Sequence, residues 1–582
     1  MNIVADFETV NEENDCRVWA YGYMEIGKSE LSYGNNINDF MDELANLSID
    51  QTINIWFHNL KFDGEFIINY LMRNGYEWTT ARIPLAKQFT TLIGDMGQWY
   101  SIQIKFADNA HLVRIYDSLK LINFSVDEIA KSFHLPIRKL KIDYNAHREE
   151  GHILTKEEID YLSNDIEIMS MALDKLFSLG LKRITAGSNA LHSYFDIVGE
   201  IWKRWFPILD EYEDTFIRKS YKGGWTYAKK DKRRKDIGEG IVLDVNSLYP
   251  SRMKYCKLPY GKGKFFTGKY KKDKKYPLYV QNFECEFKLK KGYLPTIQLK
   301  NNPGYMATEY IESSNGDVVE LTLTNVDLEI FFEHYDVKKI IWKEGYKYHA
   351  ATGMFDEYIN YWLNVKINAE KVDDFALRAI AKLMLNSLYG KFAKRPKTRQ
   401  KYPVLENDEI KYKLGELEDV GSMYIPVGTF ITAYARHYTI TSAQENYDRF
   451  LYADTDSLHL EGLELPTKLH VDKYELGAWK HEGTFKRAKY IGAKCYVEEM
   501  VKTECELINI LKEEPDNIVR VNFEKNTFLQ VTCAGMPSKI HNLVTYESFR
   551  EGKIIYGKLA QKRVKGGIVL VETTFEIKKR IC

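Results

Sequence analysis

Short apolar segments that end in turns recur along the chain and predict strands. Residues 3–9 and 240–245 have the pattern of strands, and residues 53–57 lead directly into a polar turn. Residues 450–460 consist of two apolar half-strands around Asp-Thr-Asp, which is typical of a hairpin. Residues 375–391 repeat apolar side chains at helical spacing and end at a glycine. The chain is therefore predicted to mix strands and helices.

The predicted helix at 375–391 has two distinct faces. Its polar side chains fall within one narrow arc at about 100° per residue, opposite an apolar face. The polar arc carries Arg378, Lys382, Asn386 and Tyr389. An ordinary amphipathic helix gives the same pattern, so the periodicity alone leaves its function open.

Length and composition indicate a large globular protein. A chain of 582 residues is too long for one hydrophobic core, so several domains are expected. Hydrophobic residues make up 45% and aromatic residues 14%, which leaves little room for extended disorder. Lys plus Arg and Asp plus Glu both count 82, so a surface that binds nucleic acid would have to be local.

The cysteines and the N-terminus bear on the cellular compartment. The seven cysteines are odd in number and form no C-x-x-C pair, which argues against a zinc or redox motif and favours a reducing cytosol. The N-terminus has no basic segment of the kind that opens a signal peptide, and no apolar run approaches a membrane span in length. We expect a soluble, unprocessed protein with no membrane partner.

A first set of acidic residues lies in the N-terminal third. Asp6 and Glu8 occupy alternate positions of a predicted strand and so share a face, although an exposed D-x-E pair is usually only solvated. Asp63 follows the next strand, and Tyr161 and Asp165 stand one helical turn apart. Together these residues have the composition that two-metal hydrolysis of a phosphodiester requires.

A second set is spread over the rest of the chain. Asp244 ends an apolar strand, and Asp454 and Asp456 lie at the tip of the predicted hairpin. Taken singly, such residues are more often helix caps or turn formers. Taken together, they could hold two Mg²⁺ ions for nucleotidyl transfer, a reaction that needs no protein nucleophile.

Three longer strings give the second set its identity. They are D-x-x-S-L-Y-P at 244–250, K-x-x-x-N-S-x-Y-G at 382–390 and Y-x-D-T-D-S at 452–457. With the N-terminal acidic set before them, they resemble, in order, the motifs of family B DNA polymerases that carry a proofreading exonuclease. Shorter matches are Y-x-G-G at 221–224, T-x-x-A-R at 432–436 and K-x-Y at 494–496.

The resemblance is strongest to one branch, the protein-primed polymerases of small bacteriophages, of the phi-twenty-nine type. It rests on the segments at 57–64, 185–188, 484–490 and 533–536. It implies an α/β multidomain fold, in which a ribonuclease-H-like exonuclease domain precedes a right-hand polymerase with two inserted subdomains. The implied parts are an exonuclease domain (1–185), palm (186–256 and 425–528), first insertion (257–353), fingers (354–393), second insertion (394–424) and thumb (529–582).

The resemblance also assigns catalytic roles. Mg²⁺ is the implied cofactor, two ions per active site, with Mn²⁺ able to substitute. The implied metal ligands are Asp6, Glu8, Asp63 and Asp165 in the exonuclease, and Asp244, Val245 and Asp456 in the polymerase. Asp454 lies close to the second set, and Tyr161 and Lys139 assist the first. Lys141 stands two residues from Lys139, so the choice between these lysines stays open.

The implied substrate contacts fall into three groups. Those to a single strand are Asn59, Phe62, Ser118 and Leu119. Those to primer-template DNA are Tyr221, Gly223, Gly224, Thr432, Arg436, Lys494 and Tyr496. Those to the deoxynucleoside triphosphate are Lys366, Lys382, Asn386, Tyr389 and Tyr249, the last as a steric gate against ribose. Extra residues at 371–375 leave open whether Lys366 or Lys371 contacts phosphate.

The implied partners are primer-template and single-stranded DNA, deoxynucleoside triphosphates, and a terminal protein whose hydroxyl receives the first nucleotide. The chain would act as a monomer or as a heterodimer with the terminal protein, in the cytoplasm of an infected bacterium, and would displace the non-template strand. A reverse transcriptase or RNA polymerase is the rival enzyme, but Asp-Thr-Asp and the exonuclease set argue against it. An inactive DNA-binding descendant is the other rival, and two intact acidic sets argue against that.

Overall fold

The computed structural model of the protein describes residues 1–140, 142–143, 146–299 and 306–578. No helix in these residues is both long enough and apolar enough to span a bilayer. The elements of the first part of the chain are β1 (Asn2–Thr9), β2 (Val18–Glu25), β3 (Leu31–Gly34), α1 (Ile37–Asp50), β4 (Ile53–Phe57), α2 (Leu60–Arg73), β5 (Glu77–Trp78), β6 (Gln88–Ile93), β7 (Trp99–Lys105), β8 (Val113–Asp117), α3 (Val126–Ser132) and α4 (Lys156–Ser178).

These strands form one mixed sheet in the order β3-β2-β1-β4-β8-β7-β6-β5. β1 runs parallel to β4 and antiparallel to β2, so it lies inside the sheet. Ile3 and Phe7 of β1 are buried in one core, whereas Val4 belongs to a second core with Leu162 and Ile166 of α4. Because side chains alternate along a strand, the even-numbered positions of β1 face α4.

The following elements lead through the centre of the chain. They are α5 (Ala186–Val198), α6 (Trp202–Trp205), α7 (Glu211–Ser220), β9 (Thr226–Ala228), β10 (Gly240–Val245), α8 (Leu248–Tyr255), β11 (Leu258–Thr267), β12 (Leu278–Leu289), β13 (Val319–Thr324), α9 (Asn325–His334), β14 (Tyr335–Ala351), α10 (Asp356–Lys371), α11 (Phe375–Ser387) and α12 (Tyr389–Phe392).

The last elements complete a second large sheet and two hairpins. They are β15 (Lys397–Glu406), β16 (Glu409–Asp419), α13 (Ile425–Glu445), β17 (Phe450–Asp454), β18 (Ser457–Glu461), β19 (Trp479–Gly492), β20 (Cys495–Val501), α14 (Glu504–Glu513), β21 (Val521–Asn522), β22 (Thr527–Cys533), β23 (Ile554–Val564) and β24 (Gly567–Glu576).

The second large sheet has the order β21-β22-β20-β19-β10-β18-β17-β9. β10 lies between β18 and β19, so its backbone is paired on both edges. The turn between β17 and β18 contains Thr455 in the left-handed region, at φ +62°. α13 is buried over most of its length, which explains why its sequence is apolar on nearly all sides.

The remaining strands form smaller units. β11, β14, β12 and β13 make a separate sheet with α9 after it, β15 and β16 make one hairpin, and β23 and β24 make another. The hairpin of β15 and β16 packs on the domain built around β1 to β8, which is called the first domain below. In this contact Tyr402 stacks on Trp78 with ring centroids 4.8 Å apart.

Glu65 of α2 joins three of these units. Its carboxylate is 1% exposed and accepts hydrogen bonds from Arg563 of β23 and from the Tyr412 hydroxyl of β16, at 2.7 to 2.9 Å. Burial raises the pKa of Glu65, while the Arg563 guanidinium opposes that rise. The first domain, the β15–β16 hairpin and the C-terminal hairpin therefore share one buried charge.

The predicted strands at 3–9, 53–57 and 240–245 correspond to β1, β4 and β10, whereas the predicted helix at 375–391 is divided. α11 ends at Ser387 and α12 extends to Phe392, past the glycine that was expected to end the helix. Leu388 at the break keeps helical backbone angles, so the two helices follow one another closely. Gly390 lies inside α12, and the prediction that it ends the helix is wrong.

Candidate active sites

The first acidic set comes together between β1, α2 and α4. Asp6 and Glu8 lie on the face of β1 that points toward α4, and Asp165 projects from that helix. Burial, and then the charge of Asp165, raise the pKa of Asp6 to about 7. Burial and the charges of Asp6 and Asp165 likewise raise the pKa of Glu8, and burial and Asp6 raise that of Asp63. These mutual effects place the four carboxyl groups in one site.

Lys139 contacts this acidic site. Its ammonium group makes a short ion pair with Asp165 Oδ2 and lies 5.3 Å from the ring centroid of Tyr161. Burial raises the pKa of Asp165, and Lys139 and the Tyr161 hydroxyl counter that rise. Lys141, the alternative lysine, falls outside the described residues.

The acidic site has the donor chemistry of a magnesium site. No three His, Cys, Asp or Glu side chains in the described part of the chain are gathered closely enough to coordinate a metal as they stand. Asp165 Oδ1 is nevertheless buried without a hydrogen-bond partner, and its neighbours are carboxylates whose charges repel. A hard divalent cation prefers oxygen ligands and would relieve that repulsion. The residues present therefore fit Mg²⁺.

A groove of about 440 Å³ opens beside the first site. It is lined by Asn59, Leu119 and Lys139, and also by His58 and Phe124. The last two were not predicted from the sequence, although His58 immediately precedes the predicted contact Asn59.

Two other predicted single-strand contacts lie apart from the groove lining. Ser118 is 1% exposed and donates to the Phe57 carbonyl at 3.0 Å. It also hydrogen-bonds His58 Nδ1 at 3.0 Å, so it supports the groove from beneath. Phe62 packs against Phe66, with ring centroids 5.7 Å apart.

The second acidic set lies where β10 meets the β17–β18 turn. Asp244 pairs with Ser457 in the antiparallel register, and the Val245 amide donates to the Asp456 carbonyl at 2.8 Å. Burial and the charge of Asp456 raise the pKa of Asp244 to about 7, against an opposing effect of Lys382. Burial also raises the pKa of Asp456. Asp244 and Asp456 are thus neighbouring carboxyl groups held partly out of water.

Asp454, two residues before Asp456, has different surroundings. Both of its carboxylate oxygens accept from Lys494 Nζ, at 2.9 and 2.8 Å, and Thr226 donates to one of them at 2.9 Å. The Tyr452 hydroxyl adds a longer contact of 3.3 Å. These donors occupy Asp454, whereas Asp244 and Asp456 remain the better candidates for metal ligands. Lys494, a predicted primer contact, is held in place by the same pair, and Tyr496 packs on Tyr452 at 4.9 Å between ring centroids.

The predicted triphosphate contacts surround the second site. Tyr249 of α8 stacks on Tyr389 of α12, with centroids 3.9 Å apart and planes 21° apart. Burial, and then the charges of Arg378 and Lys382, lower the pKa of Lys366, which places it in the same basic cluster. Lys382 and Asn386 are exposed on α11, as is Lys371 at the end of α10. The surroundings of Lys366 favour it over Lys371 as the phosphate contact.

The loop at 221–224 is fixed from behind by Arg436. This arginine is 4% exposed, makes a bidentate ion pair with Asp327 of α9, and donates to the carbonyls of Lys222 and Gly223 at 2.6 and 2.9 Å. A side chain at Gly224 would collide with Thr455, since its Cβ would lie 2.3 Å from the Thr455 hydroxyl oxygen. Gly224 thus allows the loop to approach the β17–β18 turn.

Two predicted DNA contacts are therefore internal. Thr432 is fully buried and donates to the carbonyls of Gly428 and Thr429 within α13. The Arg436 guanidinium pairs with Asp327 and donates to carbonyls of the 221–224 loop. Only Arg436 contacts that loop, and the assignment of both residues to DNA stays a prediction. Tyr221, in the loop itself, is partly exposed.

Comparison with known proteins identifies relatives along the whole chain. The family model for DNA polymerase type B, organellar and viral, matches residues 46–156 and 147–473. The DNA polymerase of Bacillus phage Nf is 46% identical over 583 residues, which cover 98% of this chain and 99% of the relative.

Solved structures give the same result. A structure of Phi29 DNA polymerase complexed with primer-template DNA and incoming nucleotide has a TM-score of 0.91 and 43% identity, over 99% of this chain and 100% of that one. The same polymerase complexed with single-stranded DNA has a TM-score of 0.90 and 42% identity over the same shares of the two chains. The predicted multidomain α/β fold is confirmed by these matches.

The raised pKa of Asp6 gives a pH-dependent prediction for the metal-free protein. An acid whose pKa is higher in the folded chain than in the unfolded chain destabilises the folded state as the pH rises. For Asp6 this loss of stability begins near the ordinary pKa of 3.8 and is complete above about pH 7. We expect Asp6→Asn, which cannot ionise, to be more stable than the parent at pH 8 by up to about 4 kcal/mol, because each pKa unit corresponds to about 1.4 kcal/mol; the gain should shrink to about 1–2 kcal/mol at pH 5 and vanish below about pH 4.

Denaturant unfolding in the presence of a chelator measures this difference. Asp108→Asn, at an exposed loop position, serves as a matched control and should show no pH-dependent gain. Added Mg²⁺ at pH 8 should stabilise the parent more than Asp6→Asn. A difference between parent and Asp6→Asn that stays constant from pH 5 to pH 8 would contradict the electrostatic argument.

Proposed function

The chain belongs to the organellar and viral type B DNA polymerases and is a DNA polymerase of the phi29 type; from that premise we propose that it is a replicative, proofreading enzyme. Besides extending a primer, it removes nucleotides from the 3′ end, begins synthesis on a terminal protein and displaces the non-template strand. It works in the cytoplasm of an infected bacterium, as a monomer or bound to the terminal protein.

The observation that carries the proposal is the presence of two separate acidic sites. Each site contains an aspartate, Asp6 or Asp244, with further carboxyl groups beside it. Burial and the neighbouring carboxylates raise the pKa of each of these aspartates to about 7. Carboxylate pairs of this kind hold divalent cations in phosphoryl transfer. Two such sites on different sheets support two activities, extension and degradation.

In the polymerase site the chain's own residues hold and orient the substrates. Asp244, Asp456 and Val245 would hold Mg²⁺, which would supply a stronger primer nucleophile and neutralise charge on the triphosphate. Lys366 and Lys382 bind the phosphates, and Asn386 extends the same face of α11. The stacked pair of Tyr249 and Tyr389 forms the floor beneath the incoming nucleotide. Lys494 and Tyr496 hold the primer end.

In the exonuclease site, Asp6, Glu8, Asp63 and Asp165 would hold Mg²⁺, which would activate a water molecule, and Tyr161 orients that water. Lys139, which is paired with Asp165, stabilises negative charge on the phosphate. The adjoining groove, with Asn59 and Leu119 in its lining, receives the single-stranded 3′ end. Phi29 DNA polymerase, to which the chain is similar, has been solved in complex with single-stranded DNA.

Protein priming replaces the primer hydroxyl with a serine, threonine or tyrosine hydroxyl of the terminal protein. Its support is the family relationship together with the two inserted units, the sheet of β11 to β14 and the hairpin of β15 and β16. The strands of these units fall within residues 257–353 and 394–424, and the assignment of those segments as insertions stays a prediction. The hairpin packs on the first domain, where it could separate the strands ahead of the polymerase.

Two substitutions should separate the two main activities. With a recessed primer-template and Mg²⁺, we expect Asp244→Ala to lose extension by about a thousandfold or more while it still degrades the primer, because only the polymerase site loses a metal ligand. Asp6→Ala should show the reverse. Gel analysis of primer length with and without deoxynucleotides measures both.

Asp108→Ala, an exposed acidic residue of the first domain, is the control and should behave as the parent. A parent protein that shortens primers but never extends them would refute the polymerase assignment of the second site. Loss of both activities in either variant, with the fold intact by circular dichroism, would refute the separation of the sites.

Tyr249 should select the sugar. Its ring is fixed by the stack on Tyr389, so a 2′-hydroxyl on the incoming nucleotide would meet a rigid obstacle. We expect Tyr249→Val to raise ribonucleotide incorporation by about tenfold or more relative to deoxynucleotides, since a pocket enlarged by this much loses on the order of 1–2 kcal/mol of discrimination. Unchanged sugar selectivity in single-nucleotide extension would contradict the gate.

Priming can be tested with the terminal protein of the same replication system. The polymerase, that protein, Mg²⁺ and one labelled deoxynucleotide should yield label covalently bound to the terminal protein, stable in denaturing gels. Asp244→Ala should abolish the labelling and Asp6→Ala should not, because priming uses the polymerase site. If the enzyme extends an oligonucleotide but never labels the terminal protein, the proposal of protein priming would be refuted and the polymerase assignment would stand.

A further inference from the structure

The turn between α10 and α11 contacts the exonuclease domain. The ring of Phe375, at the first position of α11, stacks on His134, with centroids 3.7 Å apart and planes 12° apart. The preceding residue, Asp374, forms an ion pair with Lys175 of α4 at 2.8 Å. These four residues, named here the fingers latch, belong to the extra segment at 371–375 and to the exonuclease domain.

The latch acts at the start of α11. Asp374 is the N-cap of this helix and accepts from the Leu377 amide at 2.9 Å, so one carboxylate both begins the helix and pairs with Lys175. A helix is fixed in place when its first turn is fixed, because its backbone is stiff. Contacts from the exonuclease domain therefore reach the first turn of α11.

α11 reaches from the latch to the polymerase site. Lys382 lies two turns along the helix, and its positive charge opposes the rise in the pKa of both Asp244 and Asp456. It also lies in the basic cluster with Lys366 and Arg378. A displacement of the first turn of α11 would thus change the distance between these lysines and the site where the triphosphate binds.

The other side of the latch reaches the exonuclease site. His134 lies in the loop after α3, and the same loop carries Lys139 to Asp165. The loop is braced by Arg138, whose Nη1 donates to the carbonyls of Ala130 and Leu135 at 2.9 and 2.6 Å. A braced loop transmits a displacement at His134 to Lys139 instead of absorbing it.

We propose that the fingers latch positions the triphosphate-binding helix and couples it to the exonuclease lysine. The inference rests on the proposed function, since it assigns a positioning role between the two active sites. Both contacts lie at the surface, with His134 exposed and Phe375 half-buried. Contacts of this kind are strong enough to bias a helix and weak enough to open within a catalytic cycle.

Charge reversal tests the polymerase side. Lys175→Glu places two carboxylates at contact distance, and we expect it to raise the KM for deoxynucleotides about fivefold while kcat stays within about twofold, because like charges repel at this distance. Asp374→Asn keeps the helix cap but removes the charge, so the double variant Lys175→Glu with Asp374→Asn should recover part of the way toward the parent, because the repulsion is gone and the stack of Phe375 on His134 remains while the ion pair is still absent. Lys156→Glu, exposed at the start of α4, is the matched control and should not alter KM.

Loss of the ring stack tests the exonuclease side. Phe375→Ala should raise the KM for deoxynucleotides and also slow degradation of single-stranded DNA about threefold to tenfold, because the loop of Lys139 loses its anchor. Lys175→Glu, which leaves the ring stack of Phe375 on His134 in place, should slow that degradation less than Phe375→Ala does.

The outcomes separate this inference from the function on which it rests. A parent protein that neither extends nor degrades would overturn the proposed function. A parent with both activities, combined with an unchanged KM in Lys175→Glu or with no recovery in the double variant, would overturn the positioning of α11. Normal degradation by Phe375→Ala would overturn the coupling to Lys139.

Discussion

Repulsion between acidic groups held partly out of water is the constraint on which the rest of this structure depends. Like charges a few ångströms apart, with little solvent between them, raise one another's pKa and push apart the elements that carry them. At both sites the repelling acids lie on a strand in the interior of a sheet. Because β1 and β10 are paired on both edges, they resist being pushed apart from their neighbours. A nearby lysine, Lys139 or Lys382, reduces the repulsion.

The β17–β18 turn shows how position within a fold decides what a residue can do. Asp454 and Asp456 are two residues apart in the sequence and would appear equivalent from composition. Lys494 and Thr226 saturate the first with hydrogen bonds, whereas the second faces Asp244. A carboxylate that already accepts several hydrogen bonds has less capacity left for a cation, so the two acids of one motif differ in their surroundings, while the catalytic role of each stays a prediction.

Much of the fold and of the acidic sites followed from the sequence, because strands alternate and acids at strand ends are conspicuous. The family strings led to the confirmed fold class, while the domain boundaries and the roles of individual residues remain predictions. A sequence string cannot show whether a residue is exposed, and Thr432 and Arg436, which the resemblance assigns to DNA, lie inside the protein. Pairs such as Arg436 and Asp327 depend on tertiary packing, which no local pattern reveals.

Glu65 has a consequence for the order in which the protein can mature during synthesis. Its partners Tyr412 and Arg563 lie 347 and 498 residues further along the chain, so the ribosome completes the first domain long before either is made. Until then the nascent domain has a carboxylate without its guanidinium, at a position that the finished protein buries. The first domain is therefore synthesised first, but the surface around Glu65 is covered only when the end of the chain has been made.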